Sequence, residues 1–249
     1  MIPATKDRLL EGILPQDVVV VELFADPPDV ELFPQEAEIL GPAVAQRRRE
    51  FATVRLCART ALVRLGRVPG PILPARDGPL WASRAPLWPA GIVGSMTHCD
   101  GYRAAAVAQD EKVASLGVDA EPNAPLPEGV QETVLLPEEQ DTVNRLAASH
   151  PGVAWDRLLF SAKESVFKAW FPLTGRWLDF PECAISPDPD LGTFSGILKV
   201  PGPTVAGNRI DHFPGRWRVR RAGGAGLVAT AVVVLALAPA AAAPETRLA

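Results

Sequence analysis

FSAKESVFKAW, residues 160 to 170, sets two charges, Lys163 and Glu164, among aromatic residues that recur at helical spacing. Phe160, Phe167 and Phe171 form the stripe, and positions 163 and 164 are steps on it, so the stretch predicts a helix with both charges on its buried face. A charged side chain is seldom buried without a partner, because losing water costs more than packing returns. Read alone, the stretch equally suits a surface helix in which Glu164 and Lys168, four apart, form an ion pair of roughly 0.3–0.5 kcal/mol.

Upstream, SLGVDAEPN (Ser115 to Asn123) is a short apolar run that carries Asp119 and Glu121 and stops at Pro122, as a strand does. Side chains two apart on a strand share a face, so both carboxylates point one way while Val118 and Ala120 point the other. A solvated strand end is the ordinary reading. The alternative is a hard divalent cation such as Mg²⁺, which is commonly held by one or two carboxylates together with substrate phosphates. Glu164 could then supply a third oxygen ligand, with Lys163 and Lys168 beside it for phosphate.

Taken together, the two motifs resemble the signatures of the 4′-phosphopantetheinyl transferase superfamily. Its larger, single-chain members carry Gly-(Val/Ile)-Asp-x-Glu and, some forty residues on, (Trp/Phe)-x-x-Lys-Glu-(Ala/Ser)-x-x-Lys. The matching residues are Gly117, Val118, Asp119 and Glu121, then Phe160, Lys163, Glu164, Ser165 and Lys168. VGSMTHCDGYRAAAVA (Val93 to Ala108) and RRREFATVRLCARTALVRLG (Arg47 to Gly66) extend the resemblance upstream and look most like the actinobacterial branch, which serves siderophore, polyketide and lipid synthesis.

The resemblance implies a pseudo-duplicated two-lobe α+β fold with the ligand between the lobes. The expected division is an N-terminal lobe over 1–114, a C-terminal lobe with the metal site over 115–239, and a disordered tail over 240–249. It implies coenzyme A as substrate, with Mg²⁺, or Mn²⁺ in its place, on Asp119, Glu121 and Glu164, and with Asp119, Lys163, Glu164 and Lys168 around the pyrophosphate. Arg47 and Arg55, together with Thr97 and His98, are expected at the nucleotide phosphates, where a planar guanidinium can donate two parallel hydrogen bonds.

The implied reaction moves the 4′-phosphopantetheine group to a serine hydroxyl of an acyl or peptidyl carrier protein, or of a carrier domain of a polyketide, non-ribosomal peptide or fatty-acid synthase, and releases 3′,5′-ADP. Lys163 and the metal would draw charge from the phosphates. Glu164, or a metal-bound water beside it, is the candidate general base. Two other classes suit parts of the pattern: a Mg²⁺-dependent phosphodiesterase or nuclease, and a silent module that holds coenzyme A or a carrier.

Composition agrees with a soluble enzyme. The chain has 249 residues, 47% apolar and 22% charged, with a net charge of −4, which argues against a general nucleic-acid binder. Carriers are acidic, so a local basic patch is expected to steer their encounter. Three cysteines, Cys57, Cys99 and Cys183, are odd in number and lack metal spacing, which points to free thiols in a reducing cytoplasm and to a monomer. The opening MIPATKDRLL has no apolar core of a secretion signal. Leu227 to Ala243 is apolar but contains Pro239 and falls short of the ~20 residues of a membrane helix, so Leu227 to Leu237 reads as a buried final strand and no membrane partner is expected.

Pro34 to Leu65 reads as helical, with a break at Gly41-Pro42, an apolar stripe of Phe51, Val54, Ala58, Ala61 and Leu65, and Gly66 as its stop. Arg47 and Arg55 flank Phe51 at the edge of the buried face, where a cation can offer its head to a ligand. Arg48, Arg49, Arg59 and Arg64 read as a solvated basic face. Ile92 to Cys99 and Tyr102 to Ala108 are strands joined at Asp100-Gly101. His98 next to Cys99 would suit a thiol hydrolase, but neighbouring strand residues point to opposite faces. Relatives often carry a Lys where Pro74 stands, a charge that Arg76 could replace, and the repeated PLW at Pro79 and Pro86 looks like an insertion.

Overall fold

The computed structural model describes residues 8–75, 85–222 and 225–236. Arg76, Pro79 and the proposed tail 240–249 lie outside them. Three antiparallel strands, β1 (Val19–Leu23), β2 (Ile92–Cys99) and β3 (Tyr102–Gln109), form a sheet in the order β1-β3-β2. A second antiparallel sheet has the order β4-β10-β9-β6-β5, from β4 (Val113–Pro122), β5 (Cys183–Asp188), β6 (Thr193–Leu198), β9 (His212–Ala222) and β10 (Ala225–Leu235). A two-stranded ribbon, β7 (Thr204–Val205) and β8 (Asn208–Arg209), projects between β6 and β9.

Both faces of β3 are buried, and small residues make that possible. Ala105 and Val107 pack with Cys57, Ala58, Ala61 and Leu62 of helix α2 (Ala45–Arg64). Ala104, Ala106 and Ala108 face the other way, into a core shared with Leu116, Val118 and Ala120 of β4 and with Leu227, Ala229 and Ala231 of β10. The two sheets meet where β2 runs beside β4, and serine and threonine replace a backbone ladder there. Ser95 Oγ accepts the Val118 N–H at 3.1 Å, and Thr97 Oγ1 accepts that of Ala120 at 3.0 Å.

The predicted hairpin and last strand are present. The turn at Asp100-Gly101 carries Gly101 at φ 70°, a conformation that glycine adopts without strain. The long N-terminal helix is divided into α1 (Pro34–Leu40) and α2, with Gly41 between them. Beyond α2, Gly66 at φ 73° lets Arg67 N–H turn back to the Leu62 carbonyl.

Helices α3 (Gln131–Val134) and α4 (Pro137–Ser149) lead to α5 (Trp155–Thr174), the helix of the opening motif. Its buried face differs from expectation. Leu158, Leu159, Ala162, Ser165, Val166 and Ala169 are buried, whereas Phe160, Phe167 and Phe171 are only half-buried. Trp155 and Trp170 are buried in the core as well, but where α5 meets β4 the residues are small, because helix and strand lie almost in backbone contact. A Cβ on Gly117 would sit 1.9 Å from the Ser165 carbonyl oxygen and 2.8 Å from Ala169 N. Ser115 Oγ donates to the Ala169 carbonyl at 2.7 Å, and Ser165 Oγ donates to that of Thr230 on β10.

The basic face of α2 also needs correction. Arg48 and Arg49 are exposed, but Arg59 pairs with the fully buried Glu36 at 2.8 Å and donates to the Glu31 carbonyl. Arg64 reaches the Val20 carbonyl on β1. Arg59 thus pins the helix to α1, whereas Arg64 is exposed, as expected, while one of its nitrogens donates to the strand.

Replacing Gly117 by Ala forces α5 away from β4, and overpacking of this kind costs about 1–3 kcal/mol or more. At this chain size the expected fall in melting temperature is roughly 2–12 °C. Calorimetry checks it, and an unchanged melting temperature would mean that the contact is not tight.

Candidate active site

A cavity of about 910 Å³ opens where the lobes meet. Arg55 and His98 reach it from the first lobe, and Lys163, Glu164 and Lys168 reach it from α5. Its remaining wall is largely apolar, with Trp88, Met96, Phe167, Phe171 and Trp177. Of the aromatic stripe, Phe167 and Phe171 line the pocket, while Phe160 and Phe167 also pack against the edge of the core. Such a volume is ordinary for a ligand site in which a few polar groups fix orientation.

In the first lobe, Arg55 lies 4.0 Å from the Phe51 ring centre, and its Nε is buried with no hydrogen-bond partner among the described residues. Burial pulls its pKa down to about 10, against the opposing charge of Glu36. A guanidinium so poorly compensated is a ready anion site. Arg47 Nη1 lies 3.1 Å from His98 Nε2, and since arginine can only donate, that ring nitrogen accepts. Burial and then the Arg47 charge lower the pKa of His98. Thr97 is different: it is buried, with its hydroxyl committed to Ala120 N–H and to Asp119 Oδ1 at 3.3 Å.

Lys168 binds Asp119 Oδ1 at 2.7 Å and the Val118 carbonyl at 3.1 Å. Burial disfavours its charge, but Asp119 and then Glu164 outweigh burial and raise its pKa. Asp119 is buried, and its Oδ2 has no partner among the described residues. The Glu164 side chain makes no hydrogen bond or ion pair with a described residue. Burial raises its pKa against the pull of Lys168. Glu121 is raised to about 7 by burial and by the Asp119 charge, although Arg157 opposes both.

Lys163 lies apart from this group. Its ammonium meets Glu139 Oε2 at 2.8 Å and the Phe180 carbonyl at 2.9 Å, and both charged side chains are 2% exposed. Glu139 is itself fixed, by the N–H groups of Ile185 and Leu136. Lys163 is therefore a held charge at the cavity wall with one donor beyond these two partners. Nothing in the sequence pattern singles out Glu139, in the first turn of α4, or Arg157, a turn before the motif.

Among the described residues, no group of three or more His, Cys, Asp or Glu side chains is arranged as a metal cage. The residues nevertheless fit a hard cation. They are oxygen donors, one buried carboxylate oxygen is orphaned, and two carboxyls are raised by crowding and burial. The cysteines are free, and burial pushes Cys57, Cys99 and Cys183 each up to about 12, far from a thiolate nucleophile.

Comparison with known proteins agrees with this site. Residues 35–108 match the 4′-phosphopantetheinyl transferase N-terminal domain, and residues 115–219 match the 4′-phosphopantetheinyl transferase superfamily. The chain is 56% identical to 4′-phosphopantetheinyl transferase Svp of Streptomyces mobaraensis, across 92% of this chain and 90% of that one. Identity to 4′-phosphopantetheinyl transferase PptT of Mycobacterium tuberculosis is 43%, across 92% of this chain and 100% of that one. For 4′-phosphopantetheinyl transferase Npt of Nocardia iowensis it is 45%, across 85% and 95%. With a two-lobe α+β fold, both family signatures and relatives of this likeness over most of its length, the chain belongs to the actinobacterial branch of the 4′-phosphopantetheinyl transferase superfamily.

Proposed function

We propose that the chain transfers the 4′-phosphopantetheine group of coenzyme A to a carrier-protein serine at the interlobe cavity, in a Mg²⁺-dependent reaction. The observation that carries the reading is the gathering of Arg55, His98, Lys163, Glu164 and Lys168 from both lobes around one pocket. The first-lobe cations suit the nucleotide phosphates, and the aromatic wall suits the pantetheine arm. Asp119, Glu121 and Glu164 would hold the cation, which supplies Lewis-acid stabilisation of the pyrophosphate charge.

Glu164 accepts the proton of the carrier serine as its oxygen attacks the β-phosphorus. The bond from that phosphorus to the bridging oxygen breaks, and 3′,5′-ADP leaves while Lys163 and Lys168 balance its charge. Burial, against the pull of Lys168, raises Glu164 above the ordinary carboxylate range, which makes it a stronger base. No covalent enzyme intermediate is needed, in keeping with three thiols held protonated. No helix among the described residues is long and apolar enough to cross a membrane, and we place the enzyme in the cytoplasm as a monomer.

Three outcomes test this reading. Arg55→Ala is expected to weaken coenzyme A binding by about 1.5–3 kcal/mol, the worth of a hydrogen bond to a charged group. Unchanged affinity by titration calorimetry would return Arg55 to a structural role. Asp119→Asn keeps the shape but removes a ligand charge, so transfer should collapse while the fold survives. The parent should also gain thermal stability from Mg²⁺ with coenzyme A, and the variant little. A variant that transfers at the parental rate would sink the metal assignment.

The third outcome concerns pH. Because the folded-state pKa of Glu121 is raised from 4.5 to about 7, the native chain binds this proton more tightly than the unfolded chain. Its contribution to stability is complete below pH 4.5 and is lost as pH rises through about 7. In metal-free buffer, Glu121→Gln should remove that loss, so the variant gains on the parent across this window in urea denaturation. A parent-to-variant difference that is constant with pH would contradict the shift.

A further inference from the structure

Each of the two strand carboxylates of the site is turned onto a basic side chain of α5. Asp119 meets Lys168 at 2.7 Å, and Glu121 Oε2 meets Arg157 Nη1 at 3.1 Å. Lys168 lines the cavity and belongs to the motif. Arg157 does neither, and it is anchored far more firmly. Its Nε donates to the Ala124 carbonyl at 3.1 Å and its Nη2 to the Pro125 carbonyl at 2.9 Å. The guanidinium is thus fixed on one edge to the backbone just beyond β4 and on the other to Glu121, with 16% of the side chain exposed.

A fixed fork of this kind cannot follow the carboxylate if it swings away. An arginine is also a full positive charge that does not titrate away in the working range of an enzyme. Glu121 therefore has a resident cation already, at hydrogen-bond distance, and a divalent ion arriving at Asp119 and Glu164 competes with it. This accounts for the carboxylates of the described chain failing to form a cage although their chemistry suits one.

We propose that Arg157 is a positioning residue that latches Glu121 out of the metal site, so that taking up the cation requires Glu121 to leave Arg157. The idea rests on the metal reading given above. Its consequence is that the site holds a cation weakly by itself. Three carboxylates, Asp119, Glu121 and Glu164, face two cations, Arg157 and Lys168, so a single divalent ion would leave an excess of positive charge. The phosphates of coenzyme A supply the missing anions, and Lys168 can pass from Asp119 to them. Metal and coenzyme A are then expected to enter together, each raising the affinity of the other by the same factor.

The test is Mn²⁺ binding to the full chain, followed by electron paramagnetic resonance of the free ion, for the parent, Arg157→Met and Glu121→Gln. Methionine keeps the length of the arginine stem and removes the charge and the hydrogen bonds. With Mn²⁺ alone, Arg157→Met should bind about tenfold more tightly than the parent, a change of the size that partners of metal ligands commonly produce. The gain in Mn²⁺ affinity on adding coenzyme A should shrink by a similar factor. A purely structural Arg157, holding only the Ala124-Pro125 turn, would lower the melting temperature of the variant and leave Mn²⁺ affinity unchanged or weaker, and either result overturns the latch. Glu121→Gln separates the metal site from the latch. If it does not weaken Mn²⁺ binding in the presence of coenzyme A, the metal assignment itself fails; if it weakens binding while Arg157→Met gains nothing, the latch alone fails.

Discussion

The near-contact of α5 with β4 at Gly117 is the constraint on which the site depends. A helix that can lie with its backbone against a strand carries its side chains to a fixed height above that strand. Gly117 permits the approach, Ser115 fastens it with a hydroxyl bond to the Ala169 carbonyl, Ser165 ties the helix to the neighbouring β10, and Ala162 and Ala169 keep the inner face low. Lys168 then reaches Asp119 and the Val118 carbonyl directly, and Glu164 lies within electrostatic reach of Lys168 and Asp119. Glycine in the strand motif is thus part of the charge geometry, one residue from Val118 and two from Asp119. The first lobe is joined to the same strand by Ser95 and Thr97, so β4 is the common reference for both walls of the cavity.

The electrostatics follow from burial around that strand. Removing carboxylates from water raises Glu121 and Glu164, and each remains tolerable because a cation stands nearby: Arg157 in direct contact with Glu121, and Lys168 within electrostatic reach of Glu164. Lys163 is stabilised differently, by a buried pair with Glu139 in which each partner is costly to remove. The site is a set of charges held apart by specific hydrogen bonds, which is the preorganisation a phosphoryl transfer requires.

Much of this was legible in the sequence because it is local. The Asp100-Gly101 hairpin, the Gly41 break, the strand that ends at Pro122 and the apolar last strand are all carried by turn chemistry and period. The α5 helix was legible too, but its inner face was not. Aromatic residues dominate a hydrophobic count, whereas here the close approach to Gly117 excludes bulk and sends Phe167 and Phe171 to the cavity wall. Arg59 reads as solvated because its partner, Glu36, is 23 residues away in sequence. The same distance hid Glu139 and Arg157, whose roles exist only once α4 and α5 are packed against their strands.

Transfer is decided by the intact mass of an apo carrier protein incubated with the chain, coenzyme A and Mg²⁺. The carrier is expected to gain one phosphopantetheine on its serine, with 3′,5′-ADP released in equal amount and only when the carrier is present. Coenzyme A cleaved at the pyrophosphate without modification of the carrier would contradict it and mark the cavity as that of a hydrolase.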